Sequence, residues 1–147
     1  MTVEQILDQK GYEVVTIGPD QPAKDALRVL CRKKIGALVV VDSEHHICGI
    51  VSERDLIQAC DRWEGLAFKM PVSRLCSSPV IACDLSDSIE EIMKLMTQRR
   101  IRHVPVIQKG KLRGIISIGD VVKMLLEESQ QQIQSLKDYL YGQGTGA

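Results

Sequence analysis

One stretch of sequence occurs twice, and that repeat limits what this chain can fold into more than any other feature. Val14-Val15-Thr16 aligns with Val80-Ile81-Ala82, and Ile35 with Ile101, each pair 66 positions apart. Gly49-Ile50-Val51-Ser52 aligns with Gly114-Ile115-Ile116-Ser117, and Asp55 with Asp120, at a spacing of 65. The dropped residue falls between Val41 and Gly49, in the polar turn Asp42-Ser43-Glu44-His45-His46. A length change is tolerated in a turn, whereas a slip inside a strand would turn its side chains to the wrong face. At 147 residues the two copies suit one domain, which buries roughly 70% of its extended surface. A single copy would leave one face of its sheet uncovered.

Each copy reads strand, helix, strand, strand, helix. Val14 to Ile17 is a short apolar strand. Asp20 or Gln21 is placed to cap the next helix, with Pro22 in its first turn, where a missing N–H costs nothing. Ala23, Ala26, Leu27, Leu30 and Cys31 recur at helical spacing on one face. Ala37 to Val41 and Ile47 to Val51 make a hairpin, followed by a helix from about Glu53 to Cys60. In the second copy Val80 to Ala82 is the strand, and Ser86 takes the capping place before Ile89, Ile92, Met93 and Met96. Val104 to Ile107 and Leu112 to Ile116 form the hairpin, and a helix follows from about Ile118 to Glu127. Pro105 within a strand implies an edge or an unpaired position.

The expected fold is therefore α/β, of the α+β kind, with two βαββα units about a pseudo-two-fold axis. Residues 1–61 form the first unit with an N-terminal helix, 62–78 a linker, and 79–127 the second unit. Trp63 and Phe68, the only such residues in the chain, are expected to plug the assembly from the linker. Residues 128–147 carry an amphipathic C-terminal helix (Ile133, Leu136, Tyr139, Leu140) and a frayed end from Gly142 to Ala147. That helix either folds back on the body or packs against another subunit.

Lys plus Arg and Asp plus Glu both total 19, a balance that argues against gripping nucleic-acid backbones. No apolar run approaches the ~18 residues that cross a bilayer. Met1-Thr2-Val3-Glu4-Gln5 lacks the start of a secretory signal, so a cytoplasmic location is expected. Cys31, Cys48, Cys60, Cys76 and Cys83 are odd in number, form no C-x-x-C pair, and read as reduced small hydrophobes. His45 and His46, adjacent in a turn without matching ligands, read as solvated, and no metal site is expected.

The sharpest repeated signal is Gly-Ile-(Val/Ile)-Ser-x-x-Asp. Ser-x-x-Asp before an apolar helix is also a capping box, in which the acid reaches back to a backbone N–H. Capping and ligand binding are compatible, because a helix start offers free N–H groups to the same crevice. The second signal is Arg99-Arg100-Ile101-Arg102-His103. Arg99 and Arg100 suit the end of a helix, where positive charge favours the dipole. Val104-Pro105-Val106 fixes Arg102 and His103 at the mouth of a strand.

The doubled pattern, and above all Ile101-Arg102-His103-Val104-Pro105-Val106 followed by Gly114-Ile115-Ile116-Ser117-Ile118-Gly119-Asp120, resembles the CBS pair, or Bateman module, of stand-alone bacterial proteins. The resemblance spans about residues 1 to 127. It implies a regulatory module, not an enzyme, with two clefts for an adenine nucleotide. AMP, ADP or ATP is implied, with NAD(H) or S-adenosylmethionine as other adenosyl ligands, and no cofactor is required. It further implies that the aspartate takes the ribose hydroxyls, that the serine lies near ribose or phosphate, and that strand-mouth cations meet phosphate. Carried onto this sequence, the main cleft has Ser117, Asp120, Arg102 and His103, with Val14, Val15, Thr16, Ile35, Gly36 and Ala37 around the adenine. The second has Ser52 and Asp55, with Val80, Ile81, Ala82 and Ile101 around the adenine. Gly36-Ala37 stand where the other copy has Arg102-His103, so Arg54 is the second cleft's one prospective cation. The Asp120 cleft is therefore expected to bind an adenosine phosphate more tightly, since a charged hydrogen bond contributes ~1.5–3 kcal/mol. A homodimer mate or an unidentified protein target would receive the signal, with neither nucleic acid nor membrane as partner.

Two other readings were weighed. An enzyme needs a nucleophile–base pair or paired carboxylates in one pocket. The chain has no G-x-S-x-G, P-loop or G-x-G-x-x-G, and His103 with Asp120 is the one conceivable acid–base pair. A purely structural dimerisation unit with degenerate clefts stays open, although an aspartate in both copies speaks against it.

Overall fold

Two hairpins anchor the two copies. In the computed structural model, which describes residues 1–142, β2 (Ala37–Val41) pairs antiparallel with β3 (Ile47–Ser52), and β1 (Thr16–Ile17) adds in parallel to β2. The second copy has the antiparallel pair β4 (His103–Gln108) and β5 (Lys111–Ser117). Helices α2 (Ala23–Lys33) and α3 (Glu53–Trp63) belong to the first copy, and α4 (Ile89–Arg99) and α5 (Ile118–Lys137) to the second. Each copy has its own core. Leu38, Val40 and Val51 are fully buried with Ala26 and Val72 in one, and Val104, Val106 and Ile116 with Ile89 and Val121 in the other.

The parallel strand expected at Val80 to Ala82 is reduced to a single bridge, Cys83 to Val106. Its register is that of Ile17 to Val40, 66 positions earlier. The reason is Pro105. In the first copy the Val39 N–H donates to the Val15 carbonyl; Pro105 stands at the equivalent place and has no N–H to donate. The first strand is also short, leaving Val14 and Val15 outside β1.

Helix α1 (Val3–Lys10) precedes the first copy in sequence but completes the core of the second. The Val3 and Glu4 N–H groups donate to the Asp87 and Leu85 carbonyls, and the Ile89 N–H donates to Met1. Val3, Ile6 and Leu7 pack among Ile89, Ile92, Ile116 and Met124. Gly114 of β5 makes this possible, because a Cβ there would lie 2.7 Å from Leu7 Cδ1. The N-terminal helix thus straps the second copy to the chain that begins the first.

The helix starts differ by one or two residues from expectation. Pro22 and Ser88, not Asp20 or Gln21 and Ser86, are the N-caps of α2 and α4. Ser88 forms a full capping box with Glu91, whereas Pro22 offers no side-chain cap. Lys34 and Arg100 end these helices at equivalent places, both in the left-handed conformation.

The expected C-terminal helix is present, joined to the last helix of the second copy rather than separate from it. α5 runs unbroken for 20 residues from Ile118 to Lys137 and passes into a π-turn, Asp138–Gly142. Glu128-Ser129-Gln130-Gln131-Gln132 contains neither Gly nor Pro, and its Glu and Gln are good helix formers, so nothing stops the helix there. Its first half is anchored by buried Val121 and Met124, while Ile133, Leu136 and Leu140 are exposed. Apart from Gly142, the expected frayed end lies outside the described residues. In the linker, short 3₁₀ turns at Glu64–Lys69 and Val72–Arg74 bury Ala67 and Val72. Phe68 stays exposed and Trp63 half-buried under Arg62, so neither ring is a plug. Among the described residues, no helix is long and apolar enough to cross a membrane.

Candidate functional site

The mouths of β2 and β4 meet across the pseudo-two-fold axis. The join is symmetric: the Glu53 N–H, first in α3, donates to the Gly36 carbonyl, and the Ile118 N–H, first in α5, donates to Arg102. Gly36 lies so close to the other copy that a Cβ on it would stand 2.9 Å from His103 Cε1. Beside this contact opens a cleft of about 720 Å³, within the range of small-molecule sites. Its walls come from both copies: Ser52, Glu53, Arg54, Asp55 and Ile57 from one, and Ser77, Pro79, Ile81, Arg100, Ile101, Arg102, His103 and Ser117 from the other side.

Asp55 is held by a capping box that leaves part of it uncommitted. Its Oδ2 accepts from the Ser52 N–H at 2.8 Å and the Ser52 hydroxyl at 3.0 Å, while Oδ1 has the Ser77 hydroxyl at a long 3.5 Å. One carboxylate oxygen fixes the helix and the other faces the cleft.

Arg54, Arg100 and Arg102 line the same cleft, and none of them forms an ion pair among the described residues. Three guanidiniums there face two carboxylates, Glu53 and Asp55. Burial pushes the His103 imidazole below its ordinary value; Glu53 and Asp120 pull it back up, and Lys10 and Arg102 push it further down. His103 is therefore a neutral imidazole beside an excess of cations. An anion with several acceptor oxygens fits such a surface.

Asp120 is placed differently. It does not line the cleft: Lys10 Nζ sits 2.6 Å from its Oδ2, and the Ser117 N–H donates to the same oxygen at 2.8 Å. Burial alone would raise the Asp120 carboxyl, but the hydrogen bonds from Lys10 and Ser117 outweigh it and hold it below the ordinary value.

The expected division into two sets of residues is therefore redrawn. Gly36, Arg102, His103 and Ser117, assigned to the Asp120 cleft, share one cavity with Ser52, Arg54, Asp55, Ile81 and Ile101. Arg100, Arg102 and His103 thus line the same cavity as Asp55, for which Arg54 was the one cation expected. Val14, Val15, Thr16, Ile35, Ala37, Val80, Ala82 and Asp120 are not among the lining residues. Ile35 borders a separate groove between α2 and α3, Ala37 is buried, and Val15 packs on the first core. Val80 and Ala82 flank Ile81, whose side chain alone of the three lines the cleft, as alternation along an extended segment requires. Sequence reasoning missed Ser77, Pro79 and Arg100. Arg100 carries a signal only in retrospect: as the left-handed residue ending α4, it is turned off the helix axis before β4 begins.

A family model described as the CBS domain matches this chain twice, over residues 3–62 and 72–127. The chain belongs to the CBS domain family. The two matches place one CBS motif in each copy. A crystal structure of a CBS-domain containing protein from Agrobacterium tumefaciens is 42% identical, with a TM-score of 0.83, covering 84% of this chain and 98% of that one. The structure of CBSX2 in complex with AMP is 26% identical with a TM-score of 0.73, covering 87% and 98% respectively. A 33.4 kDa protein encoded in a ribosomal RNA operon of Thermofilum pendens is 32% identical over 86% of this chain, which spans 43% of that protein's length. One of these similar CBS structures, CBSX2, holds AMP.

Proposed function

We propose that this CBS pair is a non-catalytic regulatory module that binds an adenosine phosphate of the AMP type in the Asp55 cleft. One observation carries the reading: a carboxylate oxygen that its capping box does not use, met only by a long contact from Ser77, shares a single cleft with three guanidiniums that form no ion pair among the described residues. In this reading Asp55 Oδ1 takes the ribose hydroxyls, and Arg54, Arg100, Arg102 and His103 meet the phosphate. Ile57, Ile81 and Ile101 give the adenine apolar walls. The AMP complex of CBSX2 supports the ligand class. A role without chemistry is supported by the state of the one conceivable acid–base pair, since Asp120 holds Lys10 and does not line the cleft that His103 lines.

Calorimetric titration with AMP tests the proposal, and one saturable site per chain is the expected result. An absence of binding heat and of any melting shift with AMP, ADP, ATP, NADH or S-adenosylmethionine would refute it. The pH dependence has a defined sign. Burial keeps His103 neutral in the free protein, and a phosphate beside it favours the protonated form, so binding takes up a proton. AMP affinity is expected to rise as pH falls from 8 to 6, and His103→Gln should flatten that slope.

The signal leaves through α5. Its exposed apolar residues Ile133, Leu136 and Leu140 follow helical spacing and form a stripe suited to a second copy of this chain, so a homodimer is the expected state. Light scattering after gel filtration should give twice the chain mass for the wild-type protein, and the chain mass for a Leu136→Glu, Leu140→Glu double variant.

A further inference from the structure

Helix α5 carries two apolar faces, and the body of the chain uses one of them. Val121 and Met124 are buried, and Ile118 and Leu125 partly buried, all against the second core. About a quarter turn round the helix, Val122 (43% exposed) and Leu126 (58%) face outward. Beyond residue 127, where the CBS match ends, the inner face turns polar, with Glu128, Gln131, Gln132 and Ser135. The outer face does not. Val122, Leu126, Ser129, Ile133 and Leu136 recur at intervals of four, three, four and three, the spacing of a coiled-coil seam. Leu140 extends the series into the π-turn. A tail built to fold back on its own body would carry its apolar residues in line with Val121 and Met124.

We infer that the outer face is the seam of a parallel, in-register, two-stranded coiled coil with α5 of a second copy, and that it starts at Val122, on the body itself. The inference rests on the reading of the α5 stripe as a dimer surface. It adds where the stripe begins, which way the partner runs and what each residue meets. Ile133 and Leu136 occupy the two seam positions in the combination that favours two strands. Orientation follows from the flanks and from the one polar layer. An antiparallel pair that overlaps the seam sets Lys123 against the partner's Lys137, twice over, and each Ser129 against the partner's Ile133. A parallel pair leaves Lys137 beside the partner's Gln132 and brings the two Ser129 hydroxyls together, where each can bond the other. Because the core contacts lie about a quarter turn from the seam, the two bodies fall on opposite flanks of the paired helices.

Disulfide trapping on the full chain decides the matter, in a Cys31→Ser, Cys60→Ser background that removes the two exposed native thiols. Leu136→Cys in that background is expected to convert most of the chain to a covalent dimer under oxidised glutathione, read on a non-reducing gel. Gln131→Cys, on the opposite side of the helix, should not. A parallel seam sets position 136 against itself, whereas the antiparallel pairing holds the two copies of it about 15 Å apart along the axis, beyond the reach of a disulfide. Val122→Glu with Leu126→Glu, at exposed positions, should bring the protein from twice the chain mass to the chain mass in light scattering. Circular dichroism melts identify a variant that has not folded, and Val122→Lys with Leu126→Lys then takes its place. A wild-type dimer with no trapping at 136, or with equal trapping at 136 and 131, overturns the parallel seam and leaves the dimer reading intact. A dimer that survives the paired change at 122 and 126 does the same. A wild-type protein of single chain mass overturns both.

Discussion

Asp55→Ala is expected to lower the affinity for AMP at least about a hundredfold. Two hydrogen bonds from ribose hydroxyls to a carboxylate contribute ~1.5–3 kcal/mol each, and every 1.4 kcal/mol is a factor of about ten. Asp120→Ala should leave the affinity within about threefold, because Asp120 does not line the cleft and already holds Lys10. This order reverses the one that the sequence alone suggested. Ser52 supplies a control: Ser52→Ala removes a cap worth ~1 kcal/mol but leaves the Asp55 carboxylate in place. It should lower the melting temperature while reducing affinity less than Asp55→Ala. Equal losses from Asp55→Ala and Asp120→Ala, measured by calorimetry at pH 7, would dismiss the asymmetry of the two motifs.

The second large effect is on stability. Leu7 is completely buried in the core that α1 shares with α4, β5 and α5, and Gly114 leaves no side chain able to fill the space if it is truncated. Leu7→Ala is expected to cost about 3–5 kcal/mol, the upper range for such changes in a core that cannot collapse. For a chain of this length that is a fall of roughly 10–15 °C in the melting temperature. Leu27→Ala is the contrast, since that side chain is 39% exposed; its cost should be under about 1.5 kcal/mol. A melt in which Leu7→Ala loses no more than Leu27→Ala would mean that α1 is not part of the folded core.

What the sequence made legible was whatever is local to one copy. The hairpins and the Ser-x-x-Asp helix starts rest on spacings inside one copy and the repeat on spacings of 65 and 66, and each stands in the structure where the spacing put it. Features that depend on how the copies face each other were not legible. Arg102 and His103 read naturally with Asp120, their nearest acid in the repeat, yet they line the cavity that Asp55 also lines and Asp120 does not. Likewise α1 was grouped with the first copy because it precedes it, although its partners are Asp87, Leu85 and Ile116. Lys10 carried no motif at all, being an ordinary lysine at the end of a helix. Pro105 lay between these cases: its missing N–H was visible, but not which neighbour it would deprive.

Helix α5, capped by Ser117 on the wall of the cleft, continues without a break from Ile118 to Lys137. At 1.5 Å per residue such a rod is about 30 Å long, and its far half is exposed from Ser129 onward. A tilt of about 5° at the end beside the cleft swings the tip by roughly 2.5 Å. Displacements of that size separate two packings of a helical interface. The straightness of one helix can thus convert a change too small to matter inside the pocket into one that a neighbouring molecule can register.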